Sequence, residues 1–428
     1  MDAFLLKGPA RLAGTVRASG AKNAALPAMA AALLADAPLA LDDVPDLADV
    51  RTMEKLLSGM GVAVSRAAPG RLLLDAARVT STEAPYDLVR TMRASILVLG
   101  PLVARFGEAR VSLPGGCAIG VRPVDLHLLA LEAMGARVAV EKGYIHAHVS
   151  RVSPARGRLL GATVRFPAPT VTGTENVLFA AALARGRTVV ENAAKEPEVV
   201  DAARLLERMG ARLSGAGTDT IVVEGVERRG GTGEPSHAIV PDRIEAGTYL
   251  AAGAITGGDV TVAGARAGDL AAFLDALARA GVDVETSAGA VRVRAPRPLA
   301  AADVTTAPHP GFPTDLQAQF LALMTQASGT SRITETIFEN RFLHAGELLR
   351  LGADVRLEGN AAVVKGPARL EGAPVTASDL RASAALVLAG LAAHGETRVR
   401  RIYHLDRGYA DMDGRLRSLG ASVERIDG

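Results

Sequence analysis

The hydrophobic positions of this chain follow a pattern that occurs six times. A Leu-rich helical stretch ends at a Gly and is followed by alternating apolar residues, as in MGVAV, MGARVAV, AGVDVE and LGADV. A spacing of roughly 70 residues is typical of an internal structural repeat. The glycines are Gly61, Gly135, Gly210, Gly281, Gly352 and Gly420. Because glycine suits the left-handed residue that ends a helix before a strand, we predict six helix–strand units.

Each unit also contains an Ala-rich segment that runs into a turn and then a β-branched strand. The six copies begin near Gly20, Thr91, Gly173, Asp242, Asp315 and Asp379. A helix that is apolar on every side must be buried on every side. We therefore predict an α/β fold with one buried helix in each unit.

The length of the chain requires more than one domain. Its 428 residues exceed the roughly 250 to 300 at which a single core stops growing. Three repeats make a plausible domain, and the Gly-rich polar stretch at residues 227–236 indicates a boundary. We predict an N-terminal three-repeat domain at residues 20–231. Residues 1–19 and 232–428 would form a C-terminal three-repeat domain, in which the first strand completes the sixth unit.

Composition and charge limit the classes of partner that the protein is expected to bind. Aromatic residues make up 3%, Trp is absent, and the net charge of +2 comes from interspersed residues, which argues against nucleic acid. The most apolar stretches, residues 24–35 and 95–104, are shorter than the roughly 18 residues of a membrane span. The first residues lack a signal-peptide pattern, so we predict a cytoplasmic protein.

Cations stand at the start of several apolar helices, where the helix dipole disfavours them. Lys22, Arg93 and Arg381 are the clearest cases. Each alone could reach solvent or pair with a neighbouring Asp, but a shared anionic ligand explains the three together. Thr170 and Thr172 add hydroxyl donors at another helix start. This pattern predicts a site for phosphates and carboxylates.

The single cysteine, Cys117, lies in a glycine-rich loop at residues 112–127. One cysteine excludes an internal disulfide and a multi-cysteine zinc site. A lone cysteine is more often a small buried hydrophobe, but the flanking glycines argue against a packed core. Arg122 could hold the thiol partly ionised or orient a phosphate beside it. Asp125 could cap the next helix or contact a ligand.

Asp315 follows a Pro-rich turn at the start of an apolar helix. Its carboxylate could cap that helix, or it could act as a general base that takes a proton from a hydroxyl. Asp379 with Arg381, and Asp406 with Arg407, could form surface ion pairs worth under about 1 kcal/mol or belong to the same site. Because no Walker loop, dinucleotide fingerprint or paired His ligands occur, we predict a site with neither metal nor cofactor.

Several segments resemble the UDP-N-acetylglucosamine 1-carboxyvinyltransferase family of the enolpyruvyl transferase superfamily. They run nearly end to end and are GAKNAALP, LPGGCAIGVRPVDLH, ENAAKEPEVVD, PDRIEAGT, APHPGFPTDLQAQ, TETIFENRF, DLRAS and HLDRGY. The resemblance implies a two-domain inside-out α/β barrel with three repeats per domain and substrates at the interface. It implies transfer of the enolpyruvyl group of phosphoenolpyruvate to the 3-hydroxyl of UDP-N-acetylglucosamine with release of phosphate, the first committed step of peptidoglycan synthesis.

The resemblance also implies roles for individual residues. Lys22, Arg122 and Arg407 would bind phosphoenolpyruvate, with Arg381 and Asp379 in the same substrate site. Asn23 and Asp315 would hold the acceptor sugar. The residues implied to contact the uridine diphosphate group or the sugar are Arg93, Arg122, Pro123, Val124, Asp125, Leu126, Thr170, Val171, Thr172 and Ile337. The segment PTVTGTEN departs from the commoner family form, which has serine and glycine around Val171.

Cys117 resembles the acid of the family, and three roles stay open for it. The thiol could protonate the methylene carbon of phosphoenolpyruvate, form a covalent adduct with the central carbon, or assist product release. Two other functions fit the same fold: a shikimate-3-phosphate enolpyruvyl transferase and a catalytically silent UDP-sugar sensor. The Cys loop and residues 170–175 favour the UDP-sugar enzyme over the first. A binder needs no acid or base, and this argues against the second, because the chain has Lys22, Cys117, Asp315 and Arg407.

Overall fold

The computed structural model contains two units, and the part of the chain that it describes is residues 2–114, 124–150, 157–226, 235–295 and 298–427. The N-terminal unit comprises described residues from 20 to 240, and the C-terminal unit comprises residues 2–19 and the described residues from 241 onward. The predicted boundary at residue 231 lies outside the described residues.

The chain begins with two strands of the C-terminal unit, β1 (Ala3–Gly8) and β2 (Ala13–Arg17). Three repeats of the N-terminal unit follow. The first contains α1 (Lys22–Ala31), β3 (Leu39–Asp42), α2 (Ala48–Gly59), β4 (Ala63–Ala68) and β5 (Arg71–Asp75). The second contains β6 (Glu83–Ala84), α3 (Tyr86–Val89), α4 (Leu99–Phe106), β7 (Glu108–Ser112), α5 (Asp125–Ala133), β8 (Arg137–Glu141) and β9 (Tyr144–His148). The third contains β10 (Thr163–Arg165), α6 (Val171–Ala182), β11 (Arg187–Glu191), α7 (Pro197–Arg208), β12 (Arg212–Ser214), β13 (Thr220–Glu224) and β14 (Ser236–Ala238).

The C-terminal unit repeats the same order three times. Its first repeat contains α8 (Arg243–Ile255), β15 (Asp259–Ala263), α9 (Ala271–Arg279), β16 (Asp283–Ser287) and β17 (Ala290–Arg294). The second contains β18 (Leu299–Ala300), β19 (Val304–Thr305), α10 (Gln317–Met324), β20 (Ala327–Thr334), α11 (Ala345–Arg350), β21 (Asp354–Glu358) and β22 (Ala361–Gly366). The third contains β23 (Pro374–Thr376), α12 (Leu380–Ala392), β24 (Gly395–Arg400), α13 (Met412–Ser418) and β25 (Ser422–Ile426). Short 3₁₀ helices at Arg93–Val98 and Thr314–Leu316 lead into α4 and α10.

The six sheets of the described residues share one topology, to which the five-stranded sheet adds β19 as a second short parallel strand. A short strand pairs in parallel with the strand that follows the buried helix, and two further strands are added antiparallel, as in β14-β3-β5-β4 and β10-β11-β13-β12. The parallel partner β14 returns from the third repeat to the first, and β1 lies between β24 and β25. The first strand of the chain therefore completes the sixth sheet.

The predicted inside-out arrangement, with apolar helices inside and sheets outside, is confirmed. Every residue of α10 is buried, as is every residue of α12 after Leu380, and α8, α10 and α12 pack on one another. Ala-rich sequences permit this close packing because Ala adds little side-chain volume. Within the described residues the sheets of each unit stay separate and do not close into one β-barrel. No described helix is long and apolar enough to cross a membrane.

The six predicted repeat glycines all have left-handed backbone conformations, with φ between 81° at Gly281 and 97° at Gly420. Each follows a helix by one or two residues and precedes a strand, as predicted. A side chain in this conformation places its Cβ too close to a carbonyl oxygen. The glycine repeat of the sequence therefore reflects the left-handed backbone conformation that each helix end requires.

Ser19, the last residue before the chain leaves the C-terminal unit, is held by hydrogen bonds to Glu245, Asp242 and Arg415 of that unit. Its N–H donates to Glu245 Oε2 at 2.6 Å, and its carbonyl accepts from the Asp242 N–H at 2.7 Å. Arg415 donates to the Ser19 hydroxyl at 2.7 Å and to Glu245 at 2.9 Å. Burial raises the pKa of Glu245 to about 7, against the opposing charge of Arg415. Ser19 is thus anchored through its backbone and its side chain.

Replacing a repeat glycine should destabilise the protein through the backbone alone. A Cβ at Gly281 would meet no atom within 4 Å, so Gly281→Ala tests only the cost of its φ of 81°. We expect a loss of about 1 kcal/mol in the free energy of unfolding, measured by urea denaturation. Gly346→Ala is the matched control, since Gly346 lies in α11 with equally open surroundings. The control should be neutral or stabilising by up to about 1 kcal/mol, and equal effects would contradict the backbone argument.

Candidate functional site

Asp315 lies where the N-terminal ends of α8, α10 and α12 approach one another. It belongs to the 3₁₀ helix that leads into α10. Arg381, near the start of α12, donates to Asp315 Oδ2 at 3.1 Å, and Arg341 donates to Oδ1. The charge of Arg243, the first residue of α8, also acts on this carboxyl group. The N-cap position is Pro313, so the alternative that Asp315 caps its helix is wrong.

The two arginines determine the protonation state of Asp315. Burial alone would raise the pKa of this carboxyl group, but the charges of Arg381 and Arg341 outweigh it and hold the pKa far below its usual range. The Asp315 side chain is 28% exposed, whereas the side chains of Arg341 and Arg381 are 4% and 6% exposed. Buried guanidinium groups require paired charges. The carboxylate is therefore ionised, weakly basic and still accessible to a ligand.

Neutral hydrogen-bonding groups support this charged cluster from the central helices. The Tyr409 hydroxyl lies 2.9 Å from the Thr248 hydroxyl of α8 and accepts from Gln319 of α10 at 3.3 Å. Arg381 donates to the same hydroxyl at 3.4 Å. Burial, opposed by the charge of Arg381, raises the pKa of Tyr409. A neutral phenol thus links all three buried helices of the C-terminal unit beside Asp315.

Glu335 positions the turn that follows β20. Its carboxylate accepts from the Thr306 and Thr314 hydroxyls at 3.0 and 2.9 Å and from the backbone N–H groups of Ile337 and Phe338 at 2.7 and 3.1 Å. Because Thr314 precedes Asp315, one buried carboxylate organises both the turn that carries Ile337 and the start of the 3₁₀ helix.

In the described part of the chain, neither Asp379 nor Asp406 forms the ion pair with its neighbouring arginine that the sequence suggested, since Asp379 caps a helix and Asp406 pairs with Arg425. Asp379 caps α12 by accepting from the backbone N–H groups of Arg381 and Ala382 at 2.9 and 3.1 Å. Asp406 accepts from Arg425 at 2.7 and 3.1 Å, with both side chains about one third exposed. Arg407 is the last residue of the 3₁₀ helix that precedes α13 and is half-buried.

In the N-terminal unit, Lys22 is the first residue of α1 and pairs with Asp49 at 3.1 Å. Both side chains are largely buried, at 12% and 7% exposure. Asp49 comes from the first turn of α2. A buried ammonium held by one carboxylate retains further N–H donors for a ligand. Asn23 follows Lys22 and is exposed.

A second group of predicted residues meets around His127, a buried side chain in the first turn of α5. Its Nε2 lies 3.3 Å from the Thr172 hydroxyl at the start of α6, and its Nδ1 lies 2.8 Å from Asn176 Nδ2. Burial, aided by the nearby charge of Arg93, lowers the pKa of His127 to about 4. The starts of three helical segments, at Arg93, Asp125 and Val171, therefore lie close to one imidazole.

The other predicted site residues described in this unit lie at the starts of α5 and α6. Asp125 is exposed in the first turn of α5, beside the half-buried Val124 and Leu126. Thr170 caps α6 by accepting from the Gly173 N–H at 3.3 Å, and Val171 begins that helix half-buried. The predictions for Cys117, Arg122 and Pro123 lie outside the described residues.

Sequence reasoning missed the partners that control the predicted residues: Arg341, Tyr409, Glu335, Asp49, His127 and Asn176. Arg341 and His127 stand inside segments that the sequence analysis quoted, in ENRF and VDLH. The only signal for His127 was its place in the quoted segment, because a residue two positions after Asp125 lies on the opposite face of a helix. Nothing local reveals that Arg341 is buried, and only burial shows that it must pair with a carboxylate.

Comparisons with known proteins agree along the whole chain. The sequence model of the EPSP synthase (3-phosphoshikimate 1-carboxyvinyltransferase) family matches residues 6–416. This chain is 56% identical to the UDP-N-acetylglucosamine 1-carboxyvinyltransferase of Anaeromyxobacter sp. strain K, over 100% of both chains. It is also 56% identical to that of Anaeromyxobacter sp. strain Fw109-5, over 99% of both chains. Its fold resembles the enolpyruvyl transferase NikO from Streptomyces tendae, with a TM-score of 0.88, 27% identity and coverage of 100% and 99%. EPSP synthase from Acinetobacter baumannii, at 17% identity, covers 100% of both chains with a TM-score of 0.77 and supports the fold alone.

The Asp315 ion pairs should contribute strongly to stability. Asp315→Asn leaves two buried guanidinium groups without a carboxylate, so we expect a loss of about 3 kcal/mol or more in the free energy of unfolding at pH 7. Because the folded pKa is lowered, this contribution is present above the ordinary carboxyl pKa of 3.8 and lost as the pH falls below it. The difference between wild type and variant should be constant above about pH 5 and shrink below about pH 4.

Asp406→Asn is the matched control, since Asp406 pairs with a more exposed arginine, Arg425. The control should lose under about 1 kcal/mol by urea denaturation. Equal losses in the two variants would contradict the buried-pair argument.

Proposed function

Since this chain belongs to the EPSP synthase family and aligns end to end with its UDP-N-acetylglucosamine 1-carboxyvinyltransferases, we propose that it transfers the enolpyruvyl group of phosphoenolpyruvate to the 3-hydroxyl of UDP-N-acetylglucosamine. Phosphate is the second product. The observation that carries the proposal is 56% identity over the full length of both chains. The likeness to EPSP synthase of known structure stands at 17% identity and therefore says nothing about the acceptor. We favour the nucleotide sugar over shikimate 3-phosphate on this ground.

The reaction is an addition followed by an elimination. The sugar hydroxyl oxygen forms a bond to the central carbon of phosphoenolpyruvate, a proton is added to its methylene carbon, and the hydroxyl proton passes to a base. The resulting methyl group then loses a proton and the C–O bond to phosphate breaks, which restores the double bond. Catalysis requires an acid, a base and cations that stabilise the phosphate and the carboxylate.

The Asp315 cluster supports the part of the site that handles the hydroxyl. Asp315 accepts a hydrogen bond from the sugar hydroxyl and takes its proton as the new C–O bond forms. Its pairing with Arg381 and Arg341 makes it a weak base beforehand, so proton transfer follows bond formation rather than preceding it. Arg407 binds phosphoenolpyruvate with Arg381 beside it, Asp379 holds the start of α12 in place, and Ile337 contacts the nucleotide sugar.

Residues earlier in the chain supply the remaining substrate contacts in this proposal. Lys22 and Arg122 bind phosphoenolpyruvate, and Asn23 holds the sugar. The residues that contact the uridine diphosphate group are Arg93, Arg122, Pro123, Val124, Asp125, Leu126, Thr170, Val171 and Thr172. Cys117 acts on phosphoenolpyruvate as an acid, as an adduct former or in product release. Helix starts suit a diphosphate because their N–H groups and dipoles favour anions.

The reaction also suggests where and when the protein works. Phosphoenolpyruvate and a nucleotide sugar are highly charged metabolites that do not cross membranes unaided, so we propose that the enzyme acts in the cytoplasm. Its product would be committed to peptidoglycan, which connects the reaction to cell wall biogenesis, cell shape and cell division.

Phosphate release with each acceptor tests the function. We expect rapid release with phosphoenolpyruvate plus UDP-N-acetylglucosamine, and only background release with phosphoenolpyruvate plus shikimate 3-phosphate. Mass spectrometry of the nucleotide product should show the added enolpyruvyl group. Turnover with shikimate 3-phosphate alone would support the alternative transferase. Binding of the nucleotide sugar without turnover would support the sensor.

Substitution of Cys117 separates its possible roles. A carboxylic acid can donate a proton and a methyl group cannot, so Cys117→Asp should keep turnover while Cys117→Ala loses it by about two to four orders of magnitude. Steady-state phosphate release measures both variants. Wild-type turnover in Cys117→Ala would contradict both the acid role of Cys117 and the interpretation of its loop as catalytic.

Alkylation provides an independent readout of the same thiol. An epoxide phosphonate that mimics phosphoenolpyruvate should inactivate the wild type and spare Cys117→Asp, because a thiolate beside cations is the reactive form. The chain has one cysteine, so mass spectrometry should find a single adduct. Inactivation of Cys117→Asp at the wild-type rate would place the reactive group elsewhere.

A further inference from the structure

A chain of hydrogen bonds runs through the N-terminal unit from the backbone of α4 to the Thr172 hydroxyl. The Gly100 N–H donates to Asn176 Oδ1 at 2.6 Å, and Asn176 Nδ2 donates to the Ile96 carbonyl at 3.2 Å. Asn176 Nδ2 also lies 2.8 Å from His127 Nδ1, and His127 Nε2 lies 3.3 Å from Thr172 Oγ1. These contacts join α4, α5 and α6 and involve none of the proposed catalytic residues.

The direction of each hydrogen bond follows from its neighbours. A backbone N–H can only donate and a carbonyl can only accept, so Gly100 and Ile96 together determine which end of the Asn176 amide faces each of them. The NH₂ group of Asn176 therefore points at His127 Nδ1, which must accept. A neutral imidazole with Nδ1 as acceptor carries its proton on Nε2. The Nε2–H then donates to Thr172, whose own hydroxyl proton is directed to another acceptor.

Burial keeps this arrangement in one protonation state. His127 is 5% exposed and Asn176 is 3% exposed, whereas Thr172 is half-buried. An imidazolium would turn an N–H toward the Asn176 NH₂ group and lose that hydrogen bond, and the pKa of about 4 agrees with a neutral ring at pH 7. A threonine in the first turn of a helix commonly bonds its own backbone. Among the described residues, the hydrogen bond of the Thr172 side chain instead goes to another helix.

We propose that His127 and Asn176 are positioning residues that turn the Thr172 hydroxyl into a hydrogen-bond donor for a diphosphate oxygen of the acceptor nucleotide sugar. The proposal rests on the proposed function. A phosphate oxygen only accepts, so a hydroxyl that already accepts from His127 presents the matching proton at no reorganisation cost. Arg93 lies close enough to act on the His127 ring and supplies positive charge at the same place. The chain of hydrogen bonds from Gly100 to Thr172 thus orients one specificity-determining contact from the protein interior.

Kinetics of Thr172 variants test the contact itself. Thr172→Val removes the hydroxyl at nearly constant volume and should raise KM for UDP-N-acetylglucosamine about tenfold or more, the factor expected for a hydrogen bond to a charged group. The kcat and the KM for phosphoenolpyruvate should change little. Thr172→Ser is the conservative comparison, because it keeps the hydroxyl and should recover most of the increase in KM that Thr172→Val causes.

Substitutions of His127 test the positioning role. The amide nitrogen of His127→Gln reaches the Nε2 position and can still donate to Thr172, whereas the shorter amide of His127→Asn cannot. KM for the nucleotide sugar should therefore rise as in Thr172→Val for His127→Asn, and less for His127→Gln. Adding His127→Asn to Thr172→Val should raise KM no further. A purely structural role for His127 would instead lower the melting temperature with additive effects on KM.

Nitrogen NMR detects which ring nitrogen of His127 carries the proton. In the ¹⁵N–¹H correlation spectrum of the histidine rings, the resonance that His127→Gln removes should belong to a neutral Nε2–H tautomer. A Nδ1–H tautomer or an imidazolium at pH 7 would overturn the proposal. Wild-type KM in Thr172→Val would also overturn it while leaving the proposed function intact. Absence of wild-type turnover with UDP-N-acetylglucosamine would overturn both.

Discussion

The buried helices of this fold are largely apolar, so the unpaired backbone N–H groups at their starts must find partners beside the core. Inside a helix every backbone group is paired, but the first N–H groups are not, and burial makes each of them costly. Asp242, Asp379 and Thr170 accept hydrogen bonds from such N–H groups at α8, α12 and α6. The residues of the candidate site lie at these same helix starts, where the apolar core admits polar side chains.

The two units meet this requirement in different ways. In the C-terminal unit the helix starts hold a charged cluster, with Asp315 between two buried arginines. In the N-terminal unit the starts of α5 and α6 meet in a neutral network, with an uncharged His127 between Asn176 and Thr172. The start of α1 in the same unit holds the ion pair of Lys22 and Asp49. A charged cluster supplies strong fields for a reacting hydroxyl and phosphate. A neutral network supplies directed donors that favour one ligand geometry over another. One repeated architecture thus holds both a charged cluster and a neutral hydrogen-bond network.

The ion pairing of Asp315 also constrains how a general base works in such a cluster. Two guanidinium groups stabilise the carboxylate and reduce its basicity at the same time, so the group that best holds a hydroxyl is a poor proton acceptor before reaction. Its basicity becomes useful only when the oxygen it contacts has become acidic through bond formation. Tyr409 reinforces this arrangement by accepting a hydrogen bond from Arg381 without adding a charge, and Glu335 fixes the Thr314 hydroxyl beside the carboxylate.

The amino-acid sequence by itself determined the repeat, because both of its signals are local. Gly281 and the other repeat glycines satisfy a left-handed backbone at a helix end, and the Ala-rich segments are apolar on every side, so helix ends and buried helices were predictable. The candidate residues near helix starts were predictable for the same reason. The tertiary structure alone decided which strands join distant repeats, as β14 with β3, and which side chains pair, as Arg341 with Asp315 and His127 with Thr172. Such contacts depend on burial and on proximity across long stretches of chain, and neither leaves a periodic trace in the residues that make them.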